Sequence, residues 1–376
     1  MQISINELAI SKNSDFIKIK ELLSKHTKRA YFVGGFVRDY FLGINSFDID
    51  IEIYDISEQD FEILMNKLGA SGVGKSFFVY KYKNFDLSLP RTENKVNYGH
   101  CGFEVKICNN EQIAAKRRDF TINSIMINIF SGEILDFYDG INDLKNKILK
   151  VVDKNTFCED SLRVLRAVQF VARFDLKVEN KSLNLMKKIS LDDLSGDRIQ
   201  NELIKLFKAE HQNIGLKLIY ELNIFEFLFL SKISKNNLEI LSKKLENGSK
   251  FIKNEMYFLY TLLNFLNLNK EKVLKRLNLG TKFKKILNEP YLENPSLKDL
   301  LMISLKMPLK KWLGLDSFDL IQKAKKLDIY DNVFKTKIKA QDIINAGFKN
   351  EEIGQKLKKK QEEEVDNFLI NLTKMA

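Results

Sequence analysis

The sequence predicts an α+β chain: a mixed α/β front part over residues 29–152, then an all-α remainder. Three observations carry this. Short apolar runs alternate with Gly, Asn and Pro up to about residue 152. From Asp153 onward apolar residues recur at helical spacing, as in Leu162, Leu165, Val168 and Ala172. Of the prolines, only Pro90 precedes Pro290, Pro295 and Pro308, so long helical layers stay unbroken up to a loop near Glu289–Ser296.

Taken in order, residues 1–28 read as a helix with Phe16, Ile19, Leu22 and Leu23 on its apolar side. Strands are expected at Ala30–Val33, Asp48–Tyr54, Phe77–Tyr82, Phe85–Leu89, Gly102–Val105, Ile125–Ile129 and Ile134–Asp136. The run Lys356–Glu364 reads as a solvated helix surface. A chain of 376 residues predicts two or three domains, and a 44% hydrophobic content with 28 Phe fills their cores. No apolar run is long enough to span a membrane, and the first residues do not resemble a signal peptide. Three cysteines in no zinc spacing predict a reducing compartment and no disulfide framework.

The net charge of +11 is uneven. Residues 1–150 hold 20 Lys+Arg and 20 Asp+Glu, and residues 151–376 hold 41 and 30. A neutral front and a basic back predict chemistry in one part and polyanion binding in the other.

The chemistry is expected at Tyr31-Phe-Val-Gly-Gly-Phe-Val-Arg-Asp39 and at Asp48-Ile-Asp50. An apolar run that ends in Gly34 and Gly35 allows close approach of a phosphate, and a helix start behind it favours anions. Within the alternation Phe47–Ile51, Asp48 and Asp50 face the same side of a strand. The apolar neighbours Phe47, Ile49 and Ile51 predict that this strand is buried. Two buried carboxylates require a cation between them. A divalent metal beside a phosphate cradle points to phosphoryl or nucleotidyl transfer. Glu52 and Asp86 are candidates for a third carboxylate.

Two further segments add to this. In Ala115–Ser124, Arg117 and Arg118 precede Asp119 and Asn123, which sit among Phe120, Ile122 and Ile125 and so need buried partners. In Phe157–Phe170, Asp160, Arg163 and Arg166 follow each other at spacings of three, which makes them neighbours if all lie on one helix. A carboxylate that accepts from an amino group, next to an arginine that donates to a ring nitrogen, suits cytosine and adenine alike. Uracil and guanine present the reverse pattern.

These motifs resemble the class II tRNA nucleotidyltransferases, the bacterial CCA-adding enzymes, whose superfamily includes bacterial poly(A) polymerases. The resemblance rests on Gly34–Asp39, Asp48–Asp50, Leu89-Pro-Arg-Thr-Glu-Asn-Lys95, Arg117–Asn123 and Glu159–Arg163. It implies a polymerase-beta-like nucleotidyltransferase head. The domains implied are an N-terminal helix on the head (1–28), the head (29–152), a helical neck that recognises the base (153–225), a body (226–300) and a tRNA-binding tail (301–376). It also implies Mg²⁺ on Asp48 and Asp50 as the catalytic pair, and nucleotide contacts from Gly35, Arg38, Arg118, Asp160, Arg163 and Arg166. Gly34, Asp86, Arg91, Asp119, Asn123 and Gln169 are further site candidates. Relatives often carry an arginine where this chain has Gln169.

The activity implied is template-independent addition of CCA to tRNA from CTP and ATP, in the cytoplasm and without a membrane partner. The alternatives are a poly(A) polymerase, a CC-only or A-only enzyme, and an inactive RNA-binding module. The absence of arginine from Leu42–Phe47 favours tRNA over poly(A) chemistry. The nearly full-length segment 87–116 favours complete CCA addition, and the intact charged motifs argue against an inactive module.

Overall fold

The structure is a computed structural model that describes residues 2–74, 78–95 and 103–375. The chain divides into two compact units, Met1–Glu202 and Leu203–Ala376.

The first unit is built on a seven-stranded sheet. Its elements are α1 (Ser14–Leu23), β1 (Ala30–Val33), α2 (Gly35–Phe41), β2 (Ile49–Ile53), α3 (Glu58–Leu68), β3 (Ser71–Gly74), β4 (Val79–Tyr82), β5 (Phe85–Ser88), β6 (Arg91–Lys95), β7 (Phe103–Ile107), α4 (Glu111–Lys116), β8 (Met126–Asn128) and β9 (Ile134–Leu135). The strand order is β3-β4-β5-β2-β1-β8-β9, and β6 pairs with β7 in a separate hairpin. Only β2 and β5 run parallel within the large sheet; every other pair in it is antiparallel. Phe77 and Gly102, which opened two expected strands, lie outside the described residues. Strands β3 and β6 were not expected. Ser71–Gly74 offers little apolar alternation, and Arg91–Lys95 is polar throughout.

Strand β1 is buried along its whole length because both faces of the sheet are covered. Phe32 stacks on Phe16 of α1 with centroids 5.3 Å apart. Tyr31 and Val33 point the other way, into a cluster with Ala114 and Ala115 of α4. The expected helix over residues 1–28 is shorter than that. Residues 5–7 and 9–12 form 3₁₀ turns, and α1 starts only where the Asn13 side chain accepts from the amides of Asp15 and Phe16.

Next come α5 (Gly140–Lys145), β10 (Ile148–Leu149), α6 (Lys154–Cys158), α7 (Leu162–Phe174), β11 (Lys177–Val178), α8 (Asn180–Met186) and α9 (Gly196–Phe207). Helix α7 buries Leu165, Val168 and Ala172, as its periodicity predicts.

The second unit is helical in every element described. Its elements include α10 (Gln212–Glu221), α11 (Phe225–Phe229), α12 (Lys235–Gly248), α13 (Tyr257–Phe265), α14 (Lys270–Arg276), α15 (Lys285–Asn288), α16 (Leu297–Ser304), α17 (Phe318–Lys326), α18 (Ala340–Asn345) and α19 (Glu351–Met375). Residues 289–296 separate α15 from α16, and Ser296 caps α16 in a reciprocal box with Asp299. Trp312 and Val365 are buried in one core with Leu300 and Leu301.

Candidate active site

Strand register builds the centre of the site. Val33 of β1 sits opposite Asp50 of β2, so the next residue, Gly34, turns beside that carboxylate. Gly34 has φ 67° and ψ −131°, a conformation costly for any side chain. A Cβ there would also lie 3.1 Å from Arg118 Nη1 and 3.3 Å from Asp50 Oδ2. Glycine thus lets a guanidinium and a carboxylate close over one backbone position. Gly35 follows as the first residue of α2.

The two aspartates are placed differently from the expectation. Asp50 is half-buried on β2, but Asp48 precedes the strand and is exposed. Phe47, expected to be buried, is 81% exposed. Asp86 of β5 stands in parallel register beside Asp50. It is also ion-paired with Lys81 at 3.2 Å. Burial pushes the Asp50 carboxyl above its ordinary range. Arg118 opposes this, and the nearby carboxylates Asp86, Asp48 and Glu52 add to it. An acid held charged against burial and like neighbours is one a cation would relieve.

The donor set there is oxygen only, which fits a hard divalent ion. Among the described residues no group of three or more His, Cys, Asp or Glu could hold a metal alone. A carboxylate pair fits a magnesium-like ion, which keeps water and substrate phosphates as its other ligands.

Glu52 is not a free third carboxylate. It is 1% exposed, and Arg117 Nη2 lies 2.7 Å from its Oε1, with Arg118 Nη2 at 3.4 Å. Tyr54 donates to its other oxygen at 3.0 Å. Burial works against the Glu52 charge, yet the two arginines prevail and hold its carboxyl below the ordinary range. Glu52 therefore anchors the double arginine to the strand that carries Asp50. Its place two residues after Asp50 gave the shared face; its partners, 65 and 66 residues away, left no local trace.

A second network ties α2 to α7. Arg38 donates to Asp39 Oδ1 from Nε (2.9 Å) and Nη2 (2.7 Å), and to Asn123 Oδ1 from Nη1 (2.8 Å). Asn123 donates in turn to Asp119 Oδ1 at 2.9 Å, and Arg166 Nε donates to Asp119 Oδ2 at 2.6 Å. Burial opposes the Asp119 charge, but Arg166 and Asn123 hold its carboxyl low. Arg38, expected at the nucleotide, is buried, with both edges of its guanidinium engaged and its face over Phe170 and Phe174.

Asp160 and Arg163, expected as neighbours on one helix, have different side-chain partners and are joined through the main chain, the Arg163 amide donating to the Asp160 carbonyl at 3.1 Å. Asp160 lies before α7, not on it. Arg198 Nη2 donates to both its oxygens, at 2.8 and 3.0 Å. Arg163 donates to the carbonyls of Thr156 and Arg117, each at 2.8 Å. Sequence spacing missed Arg198 because it lies 38 residues away, on another helix. Gln169 is buried, and its Oε1 accepts from Arg173 at 3.2 Å. Arg91 opens β6, on the hairpin and not on the sheet of Asp50.

Residues 30–150 match the family described as "Poly A polymerase head domain", and residues 175–233 match "Probable RNA and SrmB- binding site of polymerase A". The CCA-adding enzyme of Lactococcus lactis subsp. cremoris (strain MG1363) is 31% identical over 281 residues, which is 71% of this chain and 68% of that enzyme. The chain belongs to the class II CCA-adding enzyme/poly(A) polymerase family. The CCA-adding enzyme of Ligilactobacillus salivarius (strain UCC118) is 32% identical over 61% of this chain and 59% of its own. The fold agrees with that of the family. A Bacillus stearothermophilus CCA-adding enzyme in complex with CTP superposes with a TM-score of 0.66, at 20% identity, covering 94% of each chain. A Thermotoga maritima CCA-adding enzyme complexed with tRNA gives 0.64 at 22% identity, covering 95% of this chain and 94% of that one.

Proposed function

We propose that this chain is a nucleotidyltransferase that adds CCA to the 3′ end of tRNA from CTP and ATP without a nucleic-acid template, in the cytoplasm. The observation that carries it is the closing of Asp50 and Arg118 over the backbone of Gly34, with the Asp48 charge near Asp50, in a chain of this family. In this reading the RNA 3′ hydroxyl attacks the α-phosphorus of the nucleotide, and pyrophosphate leaves. Asp48 and Asp50 would hold Mg²⁺, which when bound would supply polarisation of the phosphate oxygens and offset their charge. Arg118 orients the triphosphate, and Glu52 keeps the Arg118 fork in place. Arg166 and Asp119 fix α7, and Asp160 just before that helix and Arg163 on its first turn face the base edge. Arg38, Asn123 and Gln169 support these groups from behind.

The test uses tRNA that ends before CCA, with Mg²⁺ and each of the four nucleotides, singly and together, followed by sequencing of the product ends. The proposal expects CC from CTP alone and CCA from CTP with ATP. Long A tails would assign poly(A) synthesis; products that stop at CC, or that need a CC end, would assign divided labour. No incorporation in any mixture would leave only RNA binding.

A further inference from the structure

Helix α7 holds the chain on both sides of Arg118. Before that residue, the Arg117 carbonyl accepts from Arg163 Nη2 at 2.8 Å. After it, Asp119 Oδ2 accepts from Arg166 Nε at 2.6 Å. Arg163 and Arg166 are three residues apart on α7, so one face of that helix carries both tethers.

The Arg117 carbonyl lies at the C-terminal end of α4, where main-chain carbonyls have no partner within the helix. The Lys116 carbonyl beside it accepts from Thr156 Oγ1 of α6 at 3.1 Å. Arg163 also reaches α6, donating from Nη1 to the Thr156 carbonyl at 2.8 Å, and its guanidinium lies 6.0 Å from the centre of the buried Phe157 ring. A planar fork can bridge two carbonyls in this way, whereas the point charge of a lysine cannot. The guanidinium has further N–H donors with which to meet a base.

Arg118 itself extends to the reacting centre. Its Nη2 lies 3.4 Å from Glu52 Oε1, and its Nη1 closes with Asp50 Oδ2 over the backbone of Gly34. The connection from Arg163 to Asp50 is therefore continuous, through the Arg117 main chain and the Arg118 side chain.

We infer that Arg163 is a positioning residue for Arg118: through the Arg117 carbonyl it sets the arginine that orients the triphosphate, in addition to facing the base. This rests on the reading of the site given above. A base that draws Arg163 out of place then misplaces Arg118 too. A wrong nucleotide is thereby rejected at its phosphates as well as at its base edge.

The experiment measures binding of inorganic tripolyphosphate, with Mg²⁺, to the full chain by calorimetry. This ligand carries the phosphates and no base, so a residue that acts only on the base leaves its Kd unchanged. Arg118→Ala should weaken binding. Arg163→Ala should weaken it by about 3- to 30-fold, inside the range of coupling between residues joined in one network. In an Arg118→Ala background the same substitution should add nothing, whereas a general loosening of the fold would weaken binding in either background. Thr156→Val frees the same end of α4 from a side chain that does not meet the nucleotide. It should weaken binding as well, so the inference remains open to refutation even if Arg163→Ala does not fold. Wild-type affinity in both Arg163→Ala and Thr156→Val would overturn it, as would an Arg163→Ala effect that persists without Arg118. A wild type that does not bind tripolyphosphate, or binds it equally without Arg118, would overturn it too. Nucleotide incorporation is scored separately: if wild type incorporates none while the coupling holds, the proposed function fails and the positioning role stands.

Discussion

Asp160 is bound through both oxygens by Arg198, at 2.8 and 3.0 Å, while Arg163 gives its guanidinium to two main-chain carbonyls. The side chains of the two residues expected to read a base together thus have separate partners, although the Arg163 amide donates to the Asp160 carbonyl at 3.1 Å. Each is anchored on one side and is half-exposed. A carboxylate fixed from behind by an arginine is positioned in advance for an amino group in front.

Replacing Asp160 and Arg163 together with alanine should lower discrimination of CTP and ATP over UTP and GTP by about 5- to 150-fold for each of the two partners lost, from about 1–3 kcal/mol apiece. Arg198→Met should lose part of the same selectivity without touching the base. Incorporation of all four nucleotides, measured below each variant's melting temperature, decides this. Unchanged selectivity with a lowered melting temperature would make the group a structural tie alone.

Gly34→Ala should be far more damaging than its size suggests. The backbone conformation costs about 1–3 kcal/mol for a side chain. The new methyl also meets Arg118 Nη1 at 3.1 Å and Asp50 Oδ2 at 3.3 Å. We expect a stability loss of that order and a fall in kcat of about 100-fold or more, because small displacements at a reacting centre are costly. Gly43→Ala is the control. It also has a positive φ, but nothing lies within 4 Å of its Cβ. Equal kcat in the two variants would show that backbone strain alone is at work.

Much of this was legible in the sequence for physical reasons. The unbroken apolar run Ala30–Val33 marked β1 because both faces of the sheet are buried there, apolar residues alternating with acids in Asp48–Tyr54 marked β2, and the spacing of Leu165, Val168 and Ala172 marked the α7 core. The illegible parts are non-local. Glu52 meets Arg117, and Asp160 meets Arg198, across separations that no periodicity encodes. Phe47 misled because an apolar residue next to a strand reads as core, although it sits just outside the strand, where alternation no longer governs direction. The inward partners of Arg38 were illegible for the same reason: Asn123 lies 85 residues away in sequence.

The two acids of β2 should act on stability with opposite signs. Asp50 has its folded pKa raised above 3.8, so its contribution is fully present below the unfolded pKa and is lost as pH rises through the folded value. Glu52 is depressed below 4.5, so its contribution is present above the unfolded pKa and is lost as pH falls through the folded value. At neutral pH Mg²⁺ should therefore raise the melting temperature of wild type, with about 2.7 kcal/mol expected at a hundredfold excess over Kd. Asp50→Asn should melt no lower than metal-free wild type, lose the Mg²⁺ response, and drop incorporation by several orders of magnitude. Glu52→Gln should cost about 3–5 kcal/mol at pH 7 by leaving buried arginine charge unmatched. Melting curves with and without Mg²⁺ across pH 3 to 7 (from roughly one unit below the ordinary carboxylate values to well above them) test both signs. An Asp50→Asn variant that keeps the full Mg²⁺ shift would remove the metal assignment.

RNA affinity should be governed by the back of the chain, where 41 Lys+Arg face 30 Asp+Glu against 20 and 20 in front. Neutralising phosphates releases counterions, so log K should fall linearly with log salt, at about 0.7–0.9 per phosphate engaged. With four phosphates engaged, affinity would drop about 50- to 150-fold between roughly 50 and 200 mM salt. Asp48→Ala should keep this slope, because the carboxylates act on the reacting phosphorus and not on the RNA body. KM for CTP should vary much less, since the nucleotide meets one cluster of fixed charges. Binding measured by filter retention at four salt concentrations gives the slope. A flat line would mean that the positive excess is ordinary helix surface, and that the RNA is held by shape and stacking instead.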